Sequence, residues 1–201
     1  MKAVIFDLYD TLIYFNVKMQ SYRKLFIDLN VDEKLELEKA KNIALTENFI
    51  NLDALVNRLR PEASINIQIY ENMIENEVKS VKLYPETLSV LQRLKDKGLK
   101  LGLISNLAFS YKTPFYDLGL DLYFDTTLFS FEIGMKKPNL EIYKLILQKL
   151  DVLPEQCIMI GDKIIEDIEA PQQIGIRSLL CDRKSNSENS IANLNDIFKY
   201  I

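Results

Sequence analysis

Histidine is absent from all 201 residues. That removes Ser-His-Asp and Cys-His nucleophile chemistry and histidine-held zinc at once. Catalysis in this chain must therefore run on carboxylates, lysines, hydroxyls or a hard metal ion. Cysteine is scarce: Cys157 and Cys181 each sit in an apolar setting (QCIMI and SLLCD) and read as buried reduced thiols. No apolar run approaches the ~20 residues that a membrane-spanning helix needs. The run Ala3 to Phe6, interrupted by Asp7, is too short for a signal-peptide core, so the expected address is the cytoplasm. Positive charge is in mild deficit, with 25 Lys+Arg against 29 Asp+Glu, net −4 and a pI near 5.1. Such a surface gives no electrostatic reason to expect nucleic acid or anionic lipid. A small anionic substrate needs local positive charge instead.

What is present is an ordinary globular composition. Hydrophobic residues at 48% and charged residues at 27% exclude a disordered chain, and the length suffices for one core plus a small accessory unit. Four apolar runs read as buried strands: Ala3 to Asp7, Lys100 to Ser105, Cys157 to Gly161 and Arg177 to Cys181. Thr126 to Ser130 is a weaker fifth. Helix-periodic stretches separate them, the pattern of parallel strands with crossover helices. Pro85 and Gly98 bracket one helix, Pro138 opens another, and a last one is expected over Ile191 to Tyr200. The polar run Lys184 to Ser190 reads as a surface loop.

One stretch breaks the alternation. From Phe15 to Lys82 the sequence offers amphipathic helix pattern and many charges, without a convincing strand. Asp32 is placed to cap a helix containing Leu35, Leu37, Ala40 and Ala44, and Pro61 interrupts the pattern later. The fold class expected is α/β, a Rossmann-like parallel sheet core flanked by helices, with a small all-helical unit inserted after the first strand. The core then takes residues 1–14 and 83–201, and the insertion 15–82. Nothing fixes the oligomeric state.

Parallel strands gather their C-terminal ends on one rim, where ligands bind. The first strand ends in Asp7, the second in Ser105 and Asn106, and the one after Gln156 in Gly161 and Asp162; Lys137 precedes the Pro138 helix. Asp7, Asp162 and Asp167 crowded together repel one another unless a cation joins them. Mg²⁺ suits carboxylate oxygens in octahedral geometry. Lys137 adds a fixed positive charge for an anionic group or an ionised nucleophile, and Ser105 and Asn106 can donate to a developing oxyanion. These parts fit an aspartyl nucleophile attacking a phosphoryl group.

Phe6-Asp7-Leu8-Tyr9-Asp10-Thr11-Leu12 resembles motif I of the haloacid dehalogenase-like superfamily, and Ile104-Ser105-Asn106 resembles motif II. Ser130, Glu132, Gly134, Lys137 and Pro138 are similar to the segment around motif III, and Gly161-Asp162 with Asp167 to motif IV. The resemblance implies a Rossmann-like core, a mobile C1 helical cap at the insertion, Mg²⁺, and phosphatase activity on a small phosphorylated metabolite. It also implies roles. Asp7 is the nucleophile and a metal ligand, joined by the Tyr9 carbonyl and Asp162, with Asp167 supporting the metal shell. Thr11 and Ser105 bind the transferring group, and Lys137 steadies its charge.

Two departures stand out. Tyr9 occupies the place of the aspartate that normally protonates the leaving group and activates water, help typically worth ~10²–10⁴-fold. Tyrosine there resembles the 2-haloacid dehalogenases, which expel halide; Arg23 is a halide-binding candidate by residue type alone. Lys163 replaces a usual small residue, so its ammonium either competes with Mg²⁺ or faces solvent. Retained Asp162 and Asp167 weigh against a dehalogenase. A binding or regulatory protein on the same fold is the third reading.

Overall fold

The computed structural model describes residues 1–31, 33–184 and 190–201. Asp32, expected as a helix cap, and most of the expected loop Lys184 to Ser190 lie outside them. At the centre is β1 (Ala3–Phe6), whose four residues are all buried. Val4 and Phe6 face one apolar cluster, Ala3 and Ile5 the other, so both sides of the strand are covered. That is why its sequence is continuously apolar rather than alternating.

Six parallel strands form the sheet, in the order β5-β4-β1-β6-β7-β8. Here β4 is Lys100–Ser105, β5 Thr126–Phe129, β6 Cys157–Gly161, β7 Arg177–Cys181 and β8 Ser190–Ile191. The chain runs outward from β1 through β4 to β5, then returns to the other side of β1 with β6. The reversal puts a crevice at the C-terminal end of β1. Helix α5 (Thr87–Asp96) buries Val90, Leu91 and Leu94 on one face. Helix α8 (Leu140–Leu150) buries Ile142, Tyr143, Ile146 and Leu150 on the other, and the side chain of Asn139 accepts from the Glu141 N–H at its start.

Between β1 and β4 stand α1 (Ser21–Asp28), α2 (Lys34–Thr46), α3 (Leu52–Leu59) and α4 (Ile67–Lys79). They share a third apolar cluster around Leu25, Phe26, Ala44, Leu55 and Ile74. Three expectations need correction. The stretch from Phe15 to Lys82 is not strand-free: β2 (Ile13–Phe15) pairs antiparallel with β3 (Val81–Leu83) and ties the two ends of the helical segment together. Ser130 does not close β5 but opens the short helix α7 (Ser130–Ile133). Ile191 to Tyr200 is not one helix: Ile191 ends β8, and 3₁₀ turns follow over Leu194–Lys199. Leu194 and Ile197 are both buried, and a spacing of three places them on one face of a 3₁₀ helix.

Candidate active site

Asp7 follows β1 directly, its N–H donating to the Ile160 carbonyl at 2.8 Å. Lys137 reaches it from the loop before α8. The Lys137 side chain is 1% exposed, and its Nζ lies 2.7 Å from Asp7 Oδ1 and 2.6 Å from Asp167 Oδ1. Lysine is almost never this buried unless paired, and here two carboxylates hold it. Its main chain is fixed as well: Asn106 Nδ2 donates to the Lys137 carbonyl and the Lys137 N–H donates to Asn106 Oδ1, both at 2.8 Å. The Asn106 amide thus positions Lys137, and its side chain is occupied rather than aimed at a ligand.

Asp167 rides on a π-helical turn over Ile164–Glu169, a feature often found at functional sites. Its Oδ2 accepts from the Lys163 N–H at 2.9 Å. The carboxylate lies flat on the end of β6. A Cβ on residue 161 would stand 2.2 Å from Asp167 Oδ2, so only glycine fits there. Asp7, Asp162 and Asp167 offer oxygens all within 4.8 Å of one another.

The electrostatics follow from burial. Loss of water pushes the Asp7 carboxyl up from its ordinary value, Lys137 pulls it down, and Asp167 and Asp162 push it up again. Burial opposes the charge on Lys137, but Asp7 and Asp167 outweigh it and hold the ammonium. Asp162 is also raised, by burial against the pull of Lys163, whose Nζ pairs with Asp162 Oδ2. Three carboxylates against one enclosed ammonium leave the cluster negative. An all-oxygen donor set of that charge fits a hard divalent cation.

Thr11 is fully buried with its Oγ1 unpartnered, leaving a hydroxyl free in the loop after β1. Ser105 is buried at the end of β4. Tyr9 turns away from the carboxylates: its hydroxyl donates to the Tyr111 carbonyl at 2.8 Å, and its ring stacks on Phe15 at 4.6 Å. It forms one wall of a cavity of about 280 Å³ between the strand ends and α2, where Ala44, Leu45 and Lys41 are the helix's contribution. Arg23 lies elsewhere, exposed and bonded to Gln20 at 3.1 Å. Asp10 has φ 60° and pairs with Lys18 at 3.3 Å.

The description haloacid dehalogenase-like hydrolase matches residues 1–175. The chain belongs to that family. A glyceraldehyde 3-phosphate phosphatase of Methanothermobacter thermautotrophicus is 29% identical over 195 residues, covering 90% of this chain and 85% of its own. In fold the chain resembles a family enzyme of Bacteroides thetaiotaomicron solved in complex with magnesium and inorganic phosphate (TM-score 0.70, 18% identity, 94% and 98% of the two chains). It also resembles a 2-haloacid dehalogenase of Pseudomonas syringae pv. Tomato (TM-score 0.68, 21% identity, 99% and 97%).

In this haloacid dehalogenase-like hydrolase, the supports behind the site are Ser130, named in the motif III segment without a role of its own, and two residues that sequence reasoning missed, Glu77 and Arg183. Ser130 accepts the Leu107 N–H at 3.1 Å and donates to the Leu107 carbonyl at 3.3 Å, fixing the loop after β4. Glu77 is buried and collects the Met19 and Gln20 N–H groups at 2.6 and 2.7 Å and the Tyr111 hydroxyl at 2.6 Å. A signal for it existed: Tyr70, Ile74 and Glu77 occupy one stripe of α4, so a charge sits where an apolar residue is due. Arg183 pairs with Glu86 and holds the Thr11 carbonyl. Among the described residues, no helix is long and apolar enough to cross a membrane.

Proposed function

We propose that this hydrolase is a Mg²⁺-dependent phosphatase acting on a small phosphate monoester, with Asp7 as nucleophile and residues 15–82 as a cap over the strand ends. The observation that carries this reading is the ammonium of Lys137 enclosed between Asp7 and Asp167, with Asp162 beside them. Lys137 occupies Asp7 Oδ1 and leaves Oδ2 to attack phosphorus. Thr11 and Ser105 bind the phosphoryl oxygens, and Lys137 offsets their charge. The P–O bond to the leaving group then breaks, and water attacks the aspartyl phosphate to release inorganic phosphate and restore Asp7. Asp167 keeps Lys137 in place by accepting its second hydrogen bond. Asp7, Asp162 and the main-chain carbonyl of Tyr9 are the Mg²⁺ ligands, with Asp167 supporting that shell; the ion supplies charge neutralisation on the phosphoryl group.

A relative named as a phosphatase and a structural neighbour holding magnesium and phosphate support this reading. The experiment is phosphate release from a panel of small phosphate esters. EDTA and Asp7→Asn are each expected to reduce it to background. Turnover that survives both refutes the mechanism. Tyr9 favours a second reading, a 2-haloacid dehalogenase acting without metal. Halide release from 2-haloacids, unchanged by EDTA, would establish it in place of the first.

A further inference from the structure

The cavity lined by Tyr9, two residues past Asp7, and by Asn106, next to Ser105, has a chemistry of its own. Tyr9, Phe15, Tyr22 and Tyr111 supply aromatic walls, and Ala44 and Leu45 close it from α2. Each polar group on these walls is already engaged. The Tyr9 hydroxyl donates to the Tyr111 carbonyl, and the Tyr111 hydroxyl donates to Glu77. The Tyr22 hydroxyl shares a hydrogen bond with Ser110 at 3.0 Å. Both ends of the Asn106 amide are on the Lys137 backbone. Lys41 is half-exposed and paired with Glu38 at 2.8 Å. A hydroxylated leaving group entering here finds few free partners for its hydroxyls. A flat apolar one finds ring faces, and its size fits, since a cavity of ~150 Å³ already takes up benzene.

The bond-breaking step gives an independent argument. The chain has no histidine, and the residue two past the nucleophile is Tyr9. Its proton is committed to the Tyr111 carbonyl at 2.8 Å. Asp10 turns to Lys18. No side chain among these is poised to protonate a departing alkoxide. The leaving oxygen must therefore depart as an anion, which phenols, enols and carboxylic acids do and aliphatic alcohols do not.

We infer that the substrate is a phosphate ester of an apolar, acidic hydroxyl, above all an aryl phosphate, seated with its ring in the Tyr9–Phe15–Tyr111 cavity. This rests on the phosphatase reading above and narrows it away from triose and sugar phosphates. Asp7 forms the new O–P bond as the P–O(aryl) bond breaks, and the aryloxide leaves with the electron pair to take a proton from solvent. Water then attacks phosphorus and gives its proton to bulk solvent as the O–P bond to Asp7 breaks, restoring the carboxylate and releasing phosphate.

The test uses the full chain with Mg²⁺ on phenyl, 4-nitrophenyl and 2-naphthyl phosphates beside glyceraldehyde 3-phosphate and glycerol 3-phosphate. Aryl esters are expected to exceed the triose esters in kcat/KM by about 10²-fold, the discrimination an apolar pocket exerts against an added hydroxyl. Among the aryl esters, kcat/KM should rise with the acidity of the phenol. Ala44→Phe, which fills the cavity, should reduce the aryl-to-triose ratio at least tenfold; loss of folded protein lowers both rates together and leaves the ratio alone. Triose phosphates turned over as fast as aryl phosphates, or aryl rates indifferent to phenol acidity, overturn the inference while leaving the phosphatase reading intact. Absence of phosphate release from every ester overturns both.

Discussion

Replacing Lys137 by methionine tests the electrostatic core of the site. The stem is retained in volume, so no large cavity opens. What disappears is the ammonium at 2.7 and 2.6 Å from two carboxylates that are only 7% and 0% exposed as residues. Breaking a buried pair by removing one partner costs about 3–5 kcal/mol, against a whole stability of about 5–15 kcal/mol. The sign of its pH dependence is fixed. Without Lys137 the folded-state value of Asp7 rises further above its unfolded one, 3.8. A carboxyl raised in this way destabilises at high pH and regains stability as pH falls and the folded state takes up a proton. The cost of Lys137→Met should therefore be largest near pH 8 and shrink toward pH 5, by at most about 1.4 kcal/mol per pH unit per proton. Urea midpoints of variant and wild type, measured across that range in the absence of added metal, read it directly. A cost under about 1 kcal/mol at pH 8, or one that grows as pH falls, refutes the reasoning.

Two further perturbations probe the supports. Glu77→Gln removes the charge that three backbone N–H groups (Met19, Gln20 and, at 3.4 Å, Ser21) and Tyr111 share, and hydrogen bonds to a charged group contribute about 1.5–3 kcal/mol. Burial raises the Glu77 carboxyl, but its donors win and hold it below the usual 4.5. Its contribution is then fully present above pH 4.5 and lost as pH falls through the lowered value. Thermal melts should show a deficit of about 2 kcal/mol at pH 7 that narrows below pH 4.5; a constant deficit contradicts this. Gly161→Ala places a methyl 2.2 Å from Asp167 Oδ2. It should cost about 1–3 kcal/mol by overpacking and lower kcat by displacing Asp167 from Lys137; wild-type stability and rate would rule the close approach out.

The central strands were legible because burial on both faces writes a continuous apolar run, as in LGLIS of β4, and that signal is local. The ribbon of β2 and β3 was not. Each strand has three residues, too few to show a period, and each exists only because the other is paired with it across the helical segment. In the site the same division holds. Asp7, Lys137 and Asp162 could be read because strand ends and turn residues mark them in sequence. The destination of the Tyr9 hydroxyl could not, since its acceptor is 102 residues away. Asn106 was visible as a polar residue after a strand, but its engagement with the Lys137 backbone depends on where a distant loop closes.

Tyr9 is where these lines meet. Read as a departure from a motif, it is a missing acid. In the structure it is also bonded to Tyr111, which in turn reaches Glu77. Its hydroxyl donates to the Tyr111 carbonyl, the Tyr111 hydroxyl donates to Glu77 of α4, and Glu77 accepts the N–H groups of Met19 and Gln20 ahead of α1. The loop that carries Asp7 is thereby linked, through Tyr111, to Glu77 of α4 and to the segment ahead of α1. An aspartate in this position is too short to make the ring stack with Phe15 or the hydrogen bond to the Tyr111 carbonyl, and it would bring a second negative charge toward Glu77. The tyrosine that removes an acid from the leaving oxygen is thus the same residue that builds the apolar wall and anchors it. Loss of the acid and the preference we infer for an acidic, apolar leaving group are then two consequences of one side chain.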